Sequence, residues 1–66
     1  MKVRINGKEE NIEVELTLLA LLEQRGLSQK KIVVEHNAKI VDREDLSSLA
    51  IKEDDVIEII SFVGGG

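Results

Sequence analysis

Residues 56–62 have the sequence Val-Ile-Glu-Ile-Ile-Ser-Phe and are followed by Val63, Gly64, Gly65 and Gly66. β-Branched residues occupy four of these seven positions, which is a composition typical of a strand. Apolar side chains stand at both odd and even positions, as in a central strand rather than an edge strand. We therefore expect other strands on both sides of this segment.

Two further strands are predicted at the beginning of the chain. Residues 1–5 and residues 8–16 both alternate between apolar and polar side chains, so each segment presents one apolar face. Asn6-Gly7 lies between them and favours a tight turn, because both residues tolerate positive φ. These features predict a β-hairpin.

A short amphipathic helix is predicted over residues 18–25. Thr17 precedes it as a capping residue, and three leucines spaced i, i+3 and i+4 form one apolar stripe. Gly26 is placed to end the helix in the left-handed conformation. Such a short helix is marginal alone, so it needs a sheet to pack on.

The rest of the chain completes the fold. Residues 31–35 and 39–41 are predicted strands joined by a turn at 36–38, and residues 42–49 favour a helical turn or a brief 3₁₀ segment. This order predicts an α+β fold of the β-grasp (ubiquitin-like) type. We expect a mixed sheet of about five strands, with one main helix packed on one face and a short helical turn before the last strand.

We expect a single β-grasp domain over residues 1–63 and a flexible glycine tail at 64–66. Composition argues against several functions. The chain of 66 residues has no Cys, one His, one aromatic residue and a net charge of −4. It therefore lacks a disulfide, a thiolate metal site and the aromatic platform and basic patch of a nucleic-acid binder. No segment is long enough to span a membrane and Met1 leads directly into the first strand, so we expect a cytoplasmic protein.

Candidate catalytic groups are few. His36 falls in the predicted turn, where we expect a solvated side chain. The run Glu53-Asp54-Asp55 lacks the alternating ligand spacing of a calcium loop, and the remaining carboxylates fall on strand exteriors or in turns. The sequence therefore predicts no enzyme and no metal site.

The glycine tail is the informative feature. Gly64, Gly65 and Gly66 have no Cβ, so a partner channel too narrow for side chains could accept them. The same glycines are also compatible with a frayed terminus. From Phe62, four extended residues span at most about 13–14 Å, which would carry the terminal carboxylate clear of the domain.

Taken together, the chain resembles the thiamine-biosynthesis sulfur carrier proteins, the ThiS family. The resemblance covers the whole chain, and the segments that carry it are residues 2–8, 17–22, 33–41 and 54–66. Asn37 and Val41 match the turn and short strand that are usual in this family. The resemblance implies a protein cosubstrate without bound cofactor.

In this family an adenylyltransferase (ThiF-like) uses ATP and Mg²⁺ to activate the terminal carboxylate. A cysteine desulfurase or a related sulfurtransferase then supplies sulfur, and the thiocarboxylate donates it to thiazole synthase (ThiG-like). The resemblance implies that Gly66 is the site of adenylate and sulfur attachment. Gly64 and Gly65 would pass through the partner channel, and Phe62 and Val63 would contact the partner.

Two points stay open. Phe62 either closes the end of the core, which we favour, or anchors a partner. Glu58, among apolar residues, marks the sheet face that we expect to dock a partner. The function also has alternatives, which are a sulfur carrier resembling the molybdopterin-synthase small subunit, a ubiquitin-like modifier conjugated through its last glycine, and an interaction domain with an inert tail.

Overall fold

The computed structural model of the chain describes residues 1–13 and 15–62. The strands are β1 (Lys2–Ile5), β2 (Lys8–Asn11), β3 (Ile32–His36), β4 (Lys39–Val41) and β5 (Val56–Ser61). The helix α1 spans Leu18–Gln24, and two short 3₁₀ helices span Gln29–Lys31 and Arg43–Asp45. The strands form one sheet in the order β2-β1-β5-β3-β4. β1 and β5 are parallel and the other neighbours are antiparallel, which confirms the predicted mixed sheet with a central last strand.

The first hairpin forms as predicted, but its second strand is shorter. Asn6 and Gly7 have φ of 51° and 80°, as a tight turn between β1 and β2 requires. β2 ends at Asn11, so the expectation of a strand up to residue 16 was wrong. Ile12 still pairs with Met1, since the Ile12 amide donates to the Met1 carbonyl at 2.9 Å, whereas the Leu16 carbonyl accepts a hydrogen bond from the Ile51 amide at 2.8 Å. This hydrogen bond ties Leu16 to the segment before β5, so Leu16 is not part of the hairpin although the sequence alternates up to this residue.

Both ends of α1 follow the signals in the sequence. The Thr17 hydroxyl oxygen accepts a hydrogen bond from the Ala20 amide at 3.1 Å, which satisfies one of the free donors of the first turn. At the other end Gly26 has φ of 68°, and its amide donates to the Glu23 carbonyl at 3.1 Å. The Leu27 amide donates to the Leu22 carbonyl at 3.0 Å, which completes a Schellman motif.

The core lies between α1 and one face of the sheet. Its buried side chains are all aliphatic, and they come from the helix, from the three inner strands and from the segment between β4 and β5. They are Val3, Ile5, Leu18, Leu21, Leu22, Ile32, Val34, Leu46, Ile51 and Ile57. Burial of this apolar surface is the main favourable term for folding. The helix covers only one side of the sheet, so the other side is available for contacts.

Three expectations about single residues were wrong. His36 is the last residue of β3 and half-buried rather than a solvated turn residue, because its imidazole lies 2.7 Å from the Asp55 carboxylate. Asp55 itself is buried, with 7% of its surface exposed, whereas a solvated turn carboxylate was expected. Phe62 does not close the core, since 48% of its surface is exposed. In the alternation of β5 it falls on the side opposite to the helix.

Candidate functional site

The predicted attachment site lies outside the described residues. Val63, Gly64, Gly65 and Gly66 are all outside the described part of the chain. Their roles in sulfur attachment and partner binding therefore stay predictions. Phe62 is the last described residue, and the structure shows how the chain reaches it.

The strand that leads to Phe62 is held from both sides. Toward β3, the ladder of β5 continues past its last residue, because the Phe62 amide donates to the Lys31 carbonyl at 3.1 Å. Toward β1, the Ile59 amide donates to the Asn6 side-chain oxygen at 2.7 Å. Asn6 thus replaces the main-chain acceptor that is lost where β1 turns into β2. The base of the tail is anchored up to Phe62 by hydrogen bonds of the sheet.

The side of the sheet opposite to α1 carries exposed apolar side chains. We call the following set the open face: Val33, Glu35, Ile40, Val56, Glu58, Ile60 and Phe62. Ile40 is 70% exposed, and Val56 and Ile60 are 41% and 48% exposed. Apolar side chains at these levels of exposure on adjacent strands are a common mark of a protein contact surface. The apolar character of β5 on both sides therefore reflects this surface rather than burial on both faces.

Two carboxylates lie within the open face. Glu58 is half-buried, and the register of β3 and β5 places Glu35 directly opposite to it. Glu58 was identified from the sequence, but Glu35 was missed. The alternation of β3 puts Glu35 on the same side as Val33, which is the one local signal that could have found it. Its pairing with Glu58 depends on the register between distant segments and has no signal in the sequence.

A polar network joins the turn before β5 to the hairpin of β3 and β4. The Asp55 carboxylate accepts hydrogen bonds from His36 Nε2 at 2.7 Å, from Asn37 Nδ2 at 3.0 Å and from the Lys52 amide at 2.8 Å. Burial by itself would raise the pKa of Asp55, but these hydrogen bonds together hold it below its ordinary value. Asn37 also accepts from the Val56 amide at 2.9 Å, so the network fixes where β5 begins.

The network has the character of a structural clamp rather than of a catalytic centre. Each oxygen of Asp55 is engaged by a donor of the domain itself. No hydroxyl or thiol nucleophile forms a side-chain hydrogen bond to His36 within the described residues. Residues 1–13 and 15–62 also contain no group of three or more potential metal ligands. No helix in that part of the chain has the length and apolar character needed to cross a membrane.

Known proteins share both the sequence pattern and the fold of this chain. The model of the ThiS family matches residues 3–66. This chain belongs to the ThiS family. The structure is similar to a crystal structure of the thiamine biosynthesis protein (ThiS) of Geobacter metallireducens, with a TM-score of 0.85, 29% identity and full coverage of both chains. The β-grasp fold expected from the element order and the ThiS family expected from the resemblance are thereby confirmed.

Relatives of two kinds share the ThiS sequence pattern. The sulfur carrier protein ThiS of Bacillus subtilis is 35% identical over 65 residues, which cover 97% of this chain and 98% of that protein. A thiazole synthase of Paramagnetospirillum magneticum is 39% identical over all 66 residues. The chain spans only 20% of the length of that protein, and likewise of a thiazole synthase from Magnetococcus marinus. A ThiS-like segment thus occurs both as a separate small protein and within longer chains.

Proposed function

We propose that this protein is a sulfur carrier of thiamine biosynthesis and acts as a protein cosubstrate rather than as an enzyme. The observation that carries the proposal is the end-to-end similarity to the sulfur carrier protein ThiS of Bacillus subtilis, at 35% identity and with 98% of that protein covered. The central strand β5 supports it, since it runs directly into the residues before Gly64, Gly65 and Gly66.

The chemistry requires activation of the Gly66 carboxylate, which is a poor electrophile. An adenylyltransferase (ThiF-like) would join it to AMP from ATP, with Mg²⁺ and with release of pyrophosphate. A persulfide from a cysteine desulfurase or sulfurtransferase would then attack the acyl carbon, and AMP would leave. Cleavage of the S–S bond by a second thiol, which is oxidised to a disulfide, would leave the thiocarboxylate on Gly66. ATP and Mg²⁺ are thus used by the partner, and the carrier binds no cofactor.

The residues of this chain would contribute shape and anchoring. Gly64 and Gly65 would form the narrow neck that fits a closed channel. Phe62 and Val63 would contact the rim of that channel, and the exposed ring of Phe62 supports this role. Because the sheet holds the chain up to Phe62, fewer residues would need to be ordered when a partner binds.

Thiazole synthase (ThiG-like) is the proposed acceptor of the sulfur. The similarity to segments of two thiazole synthases supports this partner, because domains joined in one chain commonly contact each other when they are separate. The adenylyltransferase and the sulfur donor follow from the proposed chemistry. We place these reactions in the cytoplasm, where ATP is available.

Mass spectrometry of the C-terminal fragment tests the proposal. The protein is incubated with ATP, Mg²⁺, cysteine, a cysteine desulfurase and a ThiF-type adenylyltransferase. We expect replacement of oxygen by sulfur, localised to Gly66 so that oxidation of Met1 is not mistaken for it. No shift, beside a control carrier that is converted in the same mixture, would contradict the proposal.

The alternatives make different products. A ubiquitin-like modifier would accumulate conjugates of high mass through Gly66. A sulfur carrier of molybdenum-cofactor synthesis would form the same thiocarboxylate but would transfer its sulfur to a molybdopterin synthase and not to thiazole synthase. Removal of Gly66 abolishes all three functions and leaves only an inert-tail interaction domain unaffected.

A further inference from the structure

The last strand is supported differently on its two sides. Toward β3 its main-chain hydrogen bonds continue up to the Phe62 amide. Toward β1 the last main-chain bond in the described part of the chain runs from the Asn6 amide to the Ile57 carbonyl, at 2.9 Å. The next donor on this side, the Ile59 amide, is held by the side-chain oxygen of Asn6 at 2.7 Å. Within residues 1–13 and 15–62, one side chain therefore provides the final hydrogen bond of β5 on the β1 side.

Asparagine suits this position for two reasons. Its φ of 51° turns the main chain out of the sheet toward β2, and asparagine is one of the few residues with a Cβ that adopts this left-handed conformation readily. Its short side chain also carries an acceptor, which takes the place of a main-chain carbonyl. Glycine would serve the turn equally well but would leave the Ile59 amide without this acceptor. The turn alone therefore does not require the side chain of Asn6.

The contact lies where a small change of direction becomes large at the end of the chain. Ile59 precedes Gly66 by seven residues, and an extended chain of that length spans about 23–25 Å. A change of about 10° in the direction of β5 at Ile59 would move the end of such a chain by about 4 Å. Reacting atoms have to approach each other to about 3–3.5 Å, so a displacement of this size is enough to take the carboxylate away from a reacting group.

We propose that Asn6 is a positioning residue for activation of the Gly66 carboxylate. Its side-chain oxygen fixes the direction in which β5 leaves the sheet, so that the glycines approach the channel of the partner from one direction. Asn6 acts through Ile59 and the main chain that follows, and not by contact with the reacting atoms. The inference rests on the proposed function, which supplies the reaction and the adenylyltransferase.

The proposal predicts a particular kinetic effect. Without the Asn6 acceptor, only a fraction of the molecules presents the tail in the direction that the channel accepts, and the apparent affinity falls in proportion to this fraction. Once the glycines are in the channel, the channel holds them, so the rate of the bound complex is unchanged. Loss of one hydrogen bond typically changes a population by about threefold to tenfold. We therefore expect a higher KM for the carrier and an unchanged kcat.

N6G tests this expectation, because it keeps the turn and removes the acceptor. Release of pyrophosphate by a ThiF-type adenylyltransferase is measured at several concentrations of the carrier, well below the melting temperature of every variant. We expect N6G to raise KM by about threefold to tenfold and to leave kcat within about twofold. In N6D the carboxylate is an acceptor and aspartate tolerates the left-handed turn, so KM should stay within about twofold of the unchanged protein.

A20G is the control for lower stability, because Ala20 lies within α1 and glycine there weakens the helix. Its KM and kcat are expected to equal those of the unchanged protein, whereas a merely structural effect of N6G would appear in A20G as well. An unchanged KM in N6G overturns the inference, and so does an equal rise of KM in N6D or in A20G. A fall in kcat at constant KM would also contradict it, because the effect would then lie in the chemical step.

Conversion of the unchanged protein separates this inference from the proposed function. Sulfur at Gly66 together with a KM that does not respond to N6G would leave the proposed function standing and remove the role of Asn6. Absence of pyrophosphate release and of sulfur at Gly66, beside a control carrier that is converted in the same mixture, would remove the proposed function and this inference with it.

Discussion

His36 Nε2 lies 2.7 Å from Asp55 Oδ2, and this contact joins the end of β3 to the residue before β5. The two residues are 19 positions apart in the chain, so the contact closes a long loop around the 3₁₀ helix Arg43–Asp45. Because Asp55 also binds Asn37 and the Lys52 amide, one carboxylate joins the hairpin of β3 and β4 to the turn before β5. Loss of this carboxylate should therefore lower the stability of the whole domain.

Replacement of Asp55 by alanine is expected to destabilise the domain by about 2 kcal/mol, because it leaves the Asn37 amide and the Lys52 N–H without their acceptor in a partly buried site. Denaturant unfolding followed by circular dichroism measures this loss. D54N is the matched control. Asp54 is exposed and has φ of 68°, which asparagine tolerates, so little change is expected. Equal stability of D55A and D54N would show that the network is not a clamp.

Acid should weaken the domain through the same carboxylate. The pKa of Asp55 in the folded domain is lowered from the ordinary value of 3.8. The ionised form is therefore favoured by folding, and its contribution is present above the unfolded pKa and lost as the pH falls from about 4 through the folded value. D55N removes this contribution. Unfolding free energies measured between pH 2 and about 6 should fall less steeply on acidification in D55N than in the unchanged protein.

The turn between β3 and β4 offers a stabilising substitution. Asn37 and Ala38 have φ of 52° and 72°, the left-handed conformation of a two-residue hairpin turn. Glycine adopts it without the strain of a Cβ, so A38G is expected to add about 1 kcal/mol to the unfolding free energy. In A20G the same exchange within α1 should remove about 1 kcal/mol. A loss of stability in A38G would contradict the turn geometry.

The features that could be predicted from the sequence are those with local causes. Asn6-Gly7 predicted the first hairpin, because both residues tolerate positive φ. Thr17 and Gly26 predicted the two ends of α1, because they are typical capping residues. The central place of β5 was predicted correctly from its composition, although one of its two apolar sides is the exposed open face and not a second buried face. Each of these signals lies within a few residues of the structure it determines.

The features that were missed depend on contacts between distant segments. Asp55 is buried beside donors on His36 and Asn37, which lie at the end of β3 and in the turn after it. No residue near Asp55 in the sequence indicates these contacts. The pairing of Glu35 with Glu58 likewise requires the register of β3 and β5. Phe62 lies on the side of the sheet opposite to α1, and its exposure depends on which side the helix covers, which no local signal in the sequence indicates.

Asn6 has two roles that substitutions can separate. It adopts φ of 51° in the turn, and its side-chain oxygen accepts from the Ile59 amide at 2.7 Å. N6G keeps the turn and loses only the hydrogen bond, so we expect a loss of about 1 kcal/mol, whereas N6A adds strain and should lose about 2 kcal/mol. Hydrogen exchange should become faster at the Ile59 amide in both variants. Unchanged exchange at that amide would show that the side chain does not hold β5.

Substitutions at Ile57 and Phe62 should differ in their effect on stability, because Ile57 is buried and Phe62 is exposed. Ile57 is fully buried at 0% exposure, and I57A should cost about 3–4 kcal/mol through lost burial and the cavity left behind. Phe62 is 48% exposed, so F62A should cost less than about 1.5 kcal/mol.

If Phe62 contacts a partner, F62A should nevertheless slow thiocarboxylate formation about tenfold or more with limiting adenylyltransferase. Unfolding curves and the mass-spectrometric assay on the same preparations decide between these roles. A large loss of stability in F62A would restore Phe62 to the core. Full stability with an unchanged rate would exclude it from adenylyltransferase contact.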